Sequence, residues 1–135
     1  MRRVFADTSG LIALRDAGDS NHERAVEWLR GAVSGGAPRL VVSNLVLGEV
    51  HAFFCRSPHV ALAYCGKIRS DPAFQVVRAT PSDEVEAWSI LERSQDKTYS
   101  FVDAASFALM RRLGIGSALA FDAHFRQFGR FAVVP

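Results

Sequence analysis

Cysteine is scarce in this chain. Cys55 and Cys65 are the only two, they form no C-x-x-C pair, and they cannot supply a four-ligand zinc site. Two reduced, buried thiols are therefore expected, in keeping with a cytosolic compartment. No uncharged apolar run is long enough to cross a bilayer. Arg2 and Arg3 stand where a leader peptide would begin, but Val4-Phe5-Ala6 runs into Asp7 before an apolar core can form. A soluble, cytoplasmic protein with no membrane partner is expected. Repeats and low-complexity segments are missing, and so is a linker that would divide the chain. Its 135 residues read as one domain over 1–135, long enough to bury a core without staples.

Lysine is also rare. Lys67 and Lys97 are the only two, so fourteen of the sixteen basic residues are Arg, the side chain best suited to bidentate phosphate contacts. The formal net charge is only +2. Four acids discussed below, if they share a cation, leave sixteen basic side chains against ten acidic ones. That balance permits a nucleic-acid substrate without demonstrating one.

What is present is an alternation of short apolar runs and longer helical patterns, the mark of βαβ units around a parallel sheet. Strands are expected at Val4–Ala6, Leu40–Val42, Phe74–Val77, Ser117–Phe121 and Phe131–Val134. Helices are expected through Leu11 to Leu14, after a cap at Ser20 or Asn21, and from Asn44 to Cys55 after Ser43. Further helices are expected from Pro58 to Arg69, after Thr80-Pro81, from Ser100 to Leu113 with Gly114 as the stop, and over Asp122–Phe128.

Four carboxylates fall in positions that such a fold makes interesting. Asp7 follows the first strand, where ligands bind in parallel α/β sheets, although a helix cap would also explain it. Glu49 interrupts an apolar helical stripe of Leu45, Val46, Ala52 and Phe53, with no basic residue one turn away on either side. An unpaired carboxylate there loses hydration, so it needs a cation, a metal or an opening to water; an edge position paired with Arg56 is the plain alternative. Asp103 stands three residues after Ser100, in the spacing of a capping motif that by itself would account for it. Asp122 follows the fourth strand as Asp7 follows the first. The four are able to converge at one sheet edge, where they would repel unless a cation joined them. An all-oxygen set suits Mg²⁺ or Mn²⁺ and disfavours zinc. Such ions activate water for in-line attack on a phosphodiester.

Four segments carry a resemblance. They are Val4 to Leu14 (VFADTSGLIAL), Val42 to Glu49 (VSNLVLGE), Asp96 to Phe107 (DKTYSFVDAASF) and Ala120 to Phe125 (AFDAHF). Together they resemble the PIN-domain family, in particular the VapC toxins of bacterial toxin–antitoxin pairs, over essentially the whole chain. The resemblance implies a three-layer α/β/α fold with a mostly parallel sheet of four to five strands. It implies a metal-dependent endoribonuclease that acts on structured RNA, forms a homodimer and is held by a small cognate antitoxin. Carried over by position, Asp7, Glu49, Asp103 and Asp122 would be the metal-binding and catalytic acids, with Thr8, Ser9 and Ser100 in support. Val102 and Ala120 depart from the Thr or Ser of many relatives, both beside acids on the Asp122 side.

The remaining residues read plainly. His51, two residues after Glu49, points elsewhere on a helix, and His124 reads as a surface helical residue. Phe53, Phe54, Phe101 and Phe107 are candidates for core or dimer face. Arg15, Arg111, Arg112 and Arg126 are phosphate candidates by charge alone. A haloacid-dehalogenase phosphatase would want D-x-D where Ser9 stands, and a receiver domain would want a lysine after a late strand. A dinucleotide fold would want G-x-G-x-x-G. A non-catalytic RNA- or protein-binding scaffold of the same fold is the rival reading; loss of one or more acids would mark it, and all four are present.

Overall fold

The computed structural model describes residues 2–135. Its strands are β1 (Arg3–Ala6), β2 (Arg39–Ser43), β3 (Phe74–Val77), β4 (Ser117–Leu119) and β5 (Ala132–Val134). The helices are α1 (Thr8–Arg15), α2 (His22–Ser34), α3 (Asn44–Phe54), α4 (Pro58–Ser70), α5 (Pro81–Glu92), α6 (Phe101–Leu113) and α7 (His124–Phe128). All strand pairings are parallel, in the order β3-β2-β1-β4-β5, and the helices flank the sheet. This is the α/β/α arrangement expected, with five strands.

The order follows from how apolar each strand is. β1 and β2 are fully buried from Val4 to Ala6 and from Leu40 to Val42, as strands covered on both faces must be. β3 and β5 lie at the edges and are only partly covered. The chain winds outward from β1 through β2 to β3, then returns to lay β4 on the other side of β1. The reversal point of the sheet therefore falls between β1 and β4, where open α/β sheets bind their ligands.

Local signals start and stop the helices. Ser43 accepts the Val46 N–H at 3.1 Å, and Thr80–Asp83 and Ser100–Asp103 both close reciprocal capping boxes. Gly114 ends α6 in the left-handed region (φ 68°), which glycine adopts without strain. Asn21 holds the N-cap position of α2, but its side chain makes no capping bond there.

Three expectations are corrected here. β4 ends at Leu119 and α7 begins at His124, so Asp122 lies in the connection between them. The reason is that the ladder runs out: Ala120 makes the last bond to β5, at the Val134 carbonyl, and the Phe121 N–H turns to the Ser9 hydroxyl. Cys65 is buried, but Cys55 is exposed at the end of α3, where the chain turns out toward Ser57. Of the core or dimer-face candidates, Phe53 is turned to solvent and Phe107 is fully buried in an aromatic cluster. There Phe107 stacks on Phe128 with ring centroids 4.2 Å apart and meets Phe125 edge-on at 4.9 Å, pinning α7 to α6. Among the described residues, no helix is long and apolar enough to cross a membrane.

Candidate active site

α1 is brought hard against the end of β4. The Asp7 N–H donates to the Leu119 carbonyl at 3.1 Å. Three residues on, a Cβ at Gly10 would lie 2.4 Å from that same carbonyl oxygen and 2.7 Å from the Leu119 Cγ. Glycine is needed here for close approach, not for an unusual φ. The contact draws the start of α1 toward the β4–α7 connection, and with it Asp7 toward Asp122.

Asp7 is 2% exposed and caps α1 through Oδ2, which accepts the Ser9 hydroxyl at 2.9 Å and the Ser9 N–H at 3.4 Å. Burial pushes its carboxyl up to about 8; the nearby charge of Asp122 and, less, that of Asp103 add to this, and the Ser9 hydroxyl opposes it. Ser9 also accepts the Phe121 N–H at 2.9 Å, tying the Asp7 turn to the backbone just before Asp122.

Asp103 sits in the first turn of α6 and is almost fully buried. Its Oδ2 accepts the Ser100 N–H at 2.9 Å, completing the capping box, and faces the His124 Nδ1 at 2.6 Å. Asp122 accepts the His124 backbone N–H at 3.0 Å. Asp103, Asp122 and His124 can each offer one ligand atom, all three lying within 4.8 Å of one another. Among the described residues, Asp7 and Glu49 fall outside that triad, Asp7 being coupled to it by charge.

Glu49 is half-buried on α3. It makes no ion pair with Arg56; instead its Oε1 accepts the hydroxyl of Thr8, the residue after Asp7. One oxygen of Glu49 is thus bound inside the protein, and the acid is tied to the Asp7 turn through a single neutral hydrogen bond.

His124 corrects the surface reading made from sequence. It is half-buried, bonded to Asp103, set edge-on to Tyr99 at 5.6 Å, and its Nε2 lies 3.4 Å from the Thr98 hydroxyl. The available signal was its position two residues after Asp122. With it, the donor set is no longer all oxygen. His51 is exposed.

The candidate arginines divide. Arg112 is committed to Asp83, donating from Nε and Nη2 to the two carboxylate oxygens at 2.8 Å each, and Arg111 lies 3.7 Å from Glu86. Arg112 is therefore a structural partner of α5 and not a free phosphate contact. The Asp83–Arg112 pair has no local signal in the sequence, since its partners lie 29 residues apart. Arg126 is exposed on α7. Arg24 was not singled out from sequence; its guanidinium sits 5.4 Å from the Phe121 ring centroid, beside the site.

Asp103 and Asp122, with His124 between them and Asp7 at the adjoining strand end, form a site fit for a divalent cation. Without one, burial first and the proximity of Asp122 second hold the Asp7 carboxyl well above its ordinary range.

Comparison with known proteins agrees with this geometry. The family model "PIN domain" matches residues 4–130. The 23S rRNA-specific endonuclease VapC20 of Mycobacterium tuberculosis H37Rv is 39% identical over 134 residues, covering 98% of each chain. The crystal structure of the M. tuberculosis VapC20, a Sarcin-Ricin loop cleaving toxin, superposes with a TM-score of 0.84 at 38% identity, over 98% of this chain and 99% of that one. VapBC2 from Rickettsia felis, solved bound to a DNA fragment from its promoter, has the same fold. Its TM-score is 0.72 at 8% identity, over 97% of this chain and 96% of that one. By sequence and by fold, the chain belongs to the PIN-domain family.

Proposed function

We propose that this chain, as a single domain, is a metal-dependent endoribonuclease, the toxin of a VapBC-type pair, and that it cuts a structured ribosomal RNA. The observation that carries the reading is the meeting of Asp103, Asp122 and His124, with ligand atoms within 4.8 Å of one another, beside the β1–β4 reversal point and the buried Asp7 at the end of β1. Asp7, Asp103 and Asp122 would hold Mg²⁺ or Mn²⁺, with Glu49 completing the acid set. When bound, such an ion lowers the pKa of water and offsets charge on the leaving 3′ oxygen.

The chain's own residues set up the rest. Ser9 orients Asp7, and the Ser100 capping box orients Asp103. Thr8 occupies Oε1 of Glu49, which leaves Oε2 to accept a hydrogen bond from the attacking water. Arg24, beside Phe121, is placed for a backbone phosphate. Ribosomal RNA is the substrate class because VapC20, 39% identical over nearly the full length of both chains, is named for it.

A homodimer and a cognate antitoxin complete the reading. In support of a protein partner, an open apolar groove of about 490 Å³ runs between α2 and α4, lined by Leu14, Val26, Leu29, Val33, Tyr64 and Phe74.

The test is cleavage of purified ribosomes and total RNA with Mg²⁺ or Mn²⁺, and with EDTA. Asp7→Asn and Asp103→Asn run beside the wild type. Discrete metal-dependent fragments, absent from both variants, are expected. A folded, antitoxin-free protein that neither cuts RNA nor binds Mn²⁺ would establish the scaffold reading instead.

A further inference from the structure

His124 lies in the Asp122 segment, two residues after the acid, and it touches both Asp122 and Asp103 by two different groups. Its backbone N–H donates to the Asp122 Oδ1 at 3.0 Å, and its ring nitrogen Nδ1 lies 2.6 Å from the Asp103 Oδ2. We infer that His124 is a positioning residue: it fixes the carboxylate of Asp103 so that Oδ2 is consumed within the protein and Oδ1 alone is presented to the cation. The inference rests on the cation-holding reading proposed above.

The geometry of Asp103 carries the argument. Oδ2 receives both the Ser100 N–H, at 2.9 Å, and the imidazole, at 2.6 Å. Two donors fill the lone pairs of one carboxylate oxygen. A carboxylate oxygen that already accepts the Ser100 N–H is best met by an N–H at Nδ1, with Nε2 lying 3.4 Å from the Thr98 hydroxyl. The capping box comes from the same helix as Asp103 and restrains the carboxylate from one side. His124 restrains it from α7, across 21 residues of sequence.

The ring itself is held. Tyr99 meets it edge-on at an interplanar angle of 84°. The next residue, Phe125, is fully buried between Phe5 and Phe107 and anchors the helix. Outer groups that hydrogen-bond a metal-binding carboxylate set its orientation, and their loss weakens metal binding about 10- to 100-fold.

The experiment has one arm without metal and one with it. In the metal-free wild type at alkaline pH, long-range ¹⁵N NMR should find the His124 ring in the Nδ1–H form, the minor tautomer of free histidine. Calorimetry then compares Mn²⁺ binding to the wild type, His124→Ala and His124→Asn, each checked for folding by its thermal transition. Asparagine can place an amide N–H about where Nδ1 stands. The expected result is an affinity about 10- to 100-fold weaker in His124→Ala and largely restored in His124→Asn. Equal affinity in all three proteins overturns the inference and leaves the cation reading standing. So does an Nε2–H ring in the metal-free protein. Nitrogen hyperfine coupling to bound Mn²⁺ that His124→Ala abolishes and His124→Asn fails to restore makes His124 a ligand, which also overturns it. A wild type that binds no Mn²⁺ removes both readings together.

Discussion

Asp7→Asn should make the metal-free protein more stable at neutral pH, although it removes the residue most central to the site. The folded chain holds the Asp7 carboxyl at about 8, against about 3.8 when unfolded, mainly through burial and then through Asp122. Between these values the native state keeps a proton that the unfolded chain has lost, so stability falls as pH rises. Below about pH 4 both states are protonated and the group has no effect; above about pH 8 the loss is complete. Each pH unit in the window costs up to about 1.4 kcal/mol, hence about 4 kcal/mol at pH 7 as an upper bound.

Asparagine keeps the volume and removes the ionisation. It is a weaker acceptor for the Ser9 hydroxyl, a loss of about 1 kcal/mol. A net gain of about 2–3 kcal/mol remains, or about 8–12 °C in Tm for a domain of this size. Thermal melts of both proteins in EDTA, taken across the pH window, provide the assay. At the acid end the variant should be the less stable by about 1 kcal/mol, and its relative stability should rise steadily toward pH 8. Saturating Mn²⁺ should then narrow the gap, since an ion bound by the wild type at about 100 times its Kd stabilises by about 2.7 kcal/mol while the variant gains less. A variant no more stable than the wild type at pH 8, or a gap independent of pH, refutes the reasoning about a buried, repelled carboxyl.

Two further substitutions test what places the site. Arg112→Met leaves the Asp83 carboxylate, 2% exposed, without its bidentate partner. Breaking a buried pair costs about 3–5 kcal/mol, but the Arg112 side chain is 38% exposed and screening lowers this to about 2 kcal/mol by urea titration. Arg112 holds the Asp83 carboxyl below its usual range, so the pair's contribution is present above about pH 4 and lost as pH falls through the lowered value. The variant should lack that acid-range dependence. Gly10→Ala should lose about 2–3 kcal/mol despite alanine's better helix propensity, because its Cβ would meet the Leu119 carbonyl oxygen at 2.4 Å. Thermal melts measure the loss, and weaker Mn²⁺ binding should accompany it as α1 is pushed from β4.

Much of the fold was legible because its signals are local. The Val4–Ala6 and Leu40–Val42 runs are continuously apolar, as strands buried on both faces must be. Ser43, Thr80, Ser100 and Gly114 mark helix ends through bonds that span only a few residues. The placement of Asp7 just after an apolar run, and of Glu49 within one, was visible for the same reason. Legibility failed where local and distant demands compete. The apolar run from Ser117 to Phe121 reads as one strand, but Phe121 bonds to the Ser9 hydroxyl and not to a neighbouring strand, and the strand stops at Leu119. The Asp83 capping box concealed a second role, its pairing with Arg112.

By itself, then, the sequence determined which segments are strands, where most helices begin and end, and that Asp7 and Asp103 stand at a strand end and a helix start. These depend on hydrophobic period and on hydrogen bonds within one turn of chain. The tertiary structure alone decided that β4 lies against β1, that Gly10 closes onto Leu119, and that His124 reaches Asp103 across 21 residues. Those contacts join segments far apart in the chain. Their partners are selected by the order in which the strands pack and by the few side chains small enough, or buried enough, to meet there.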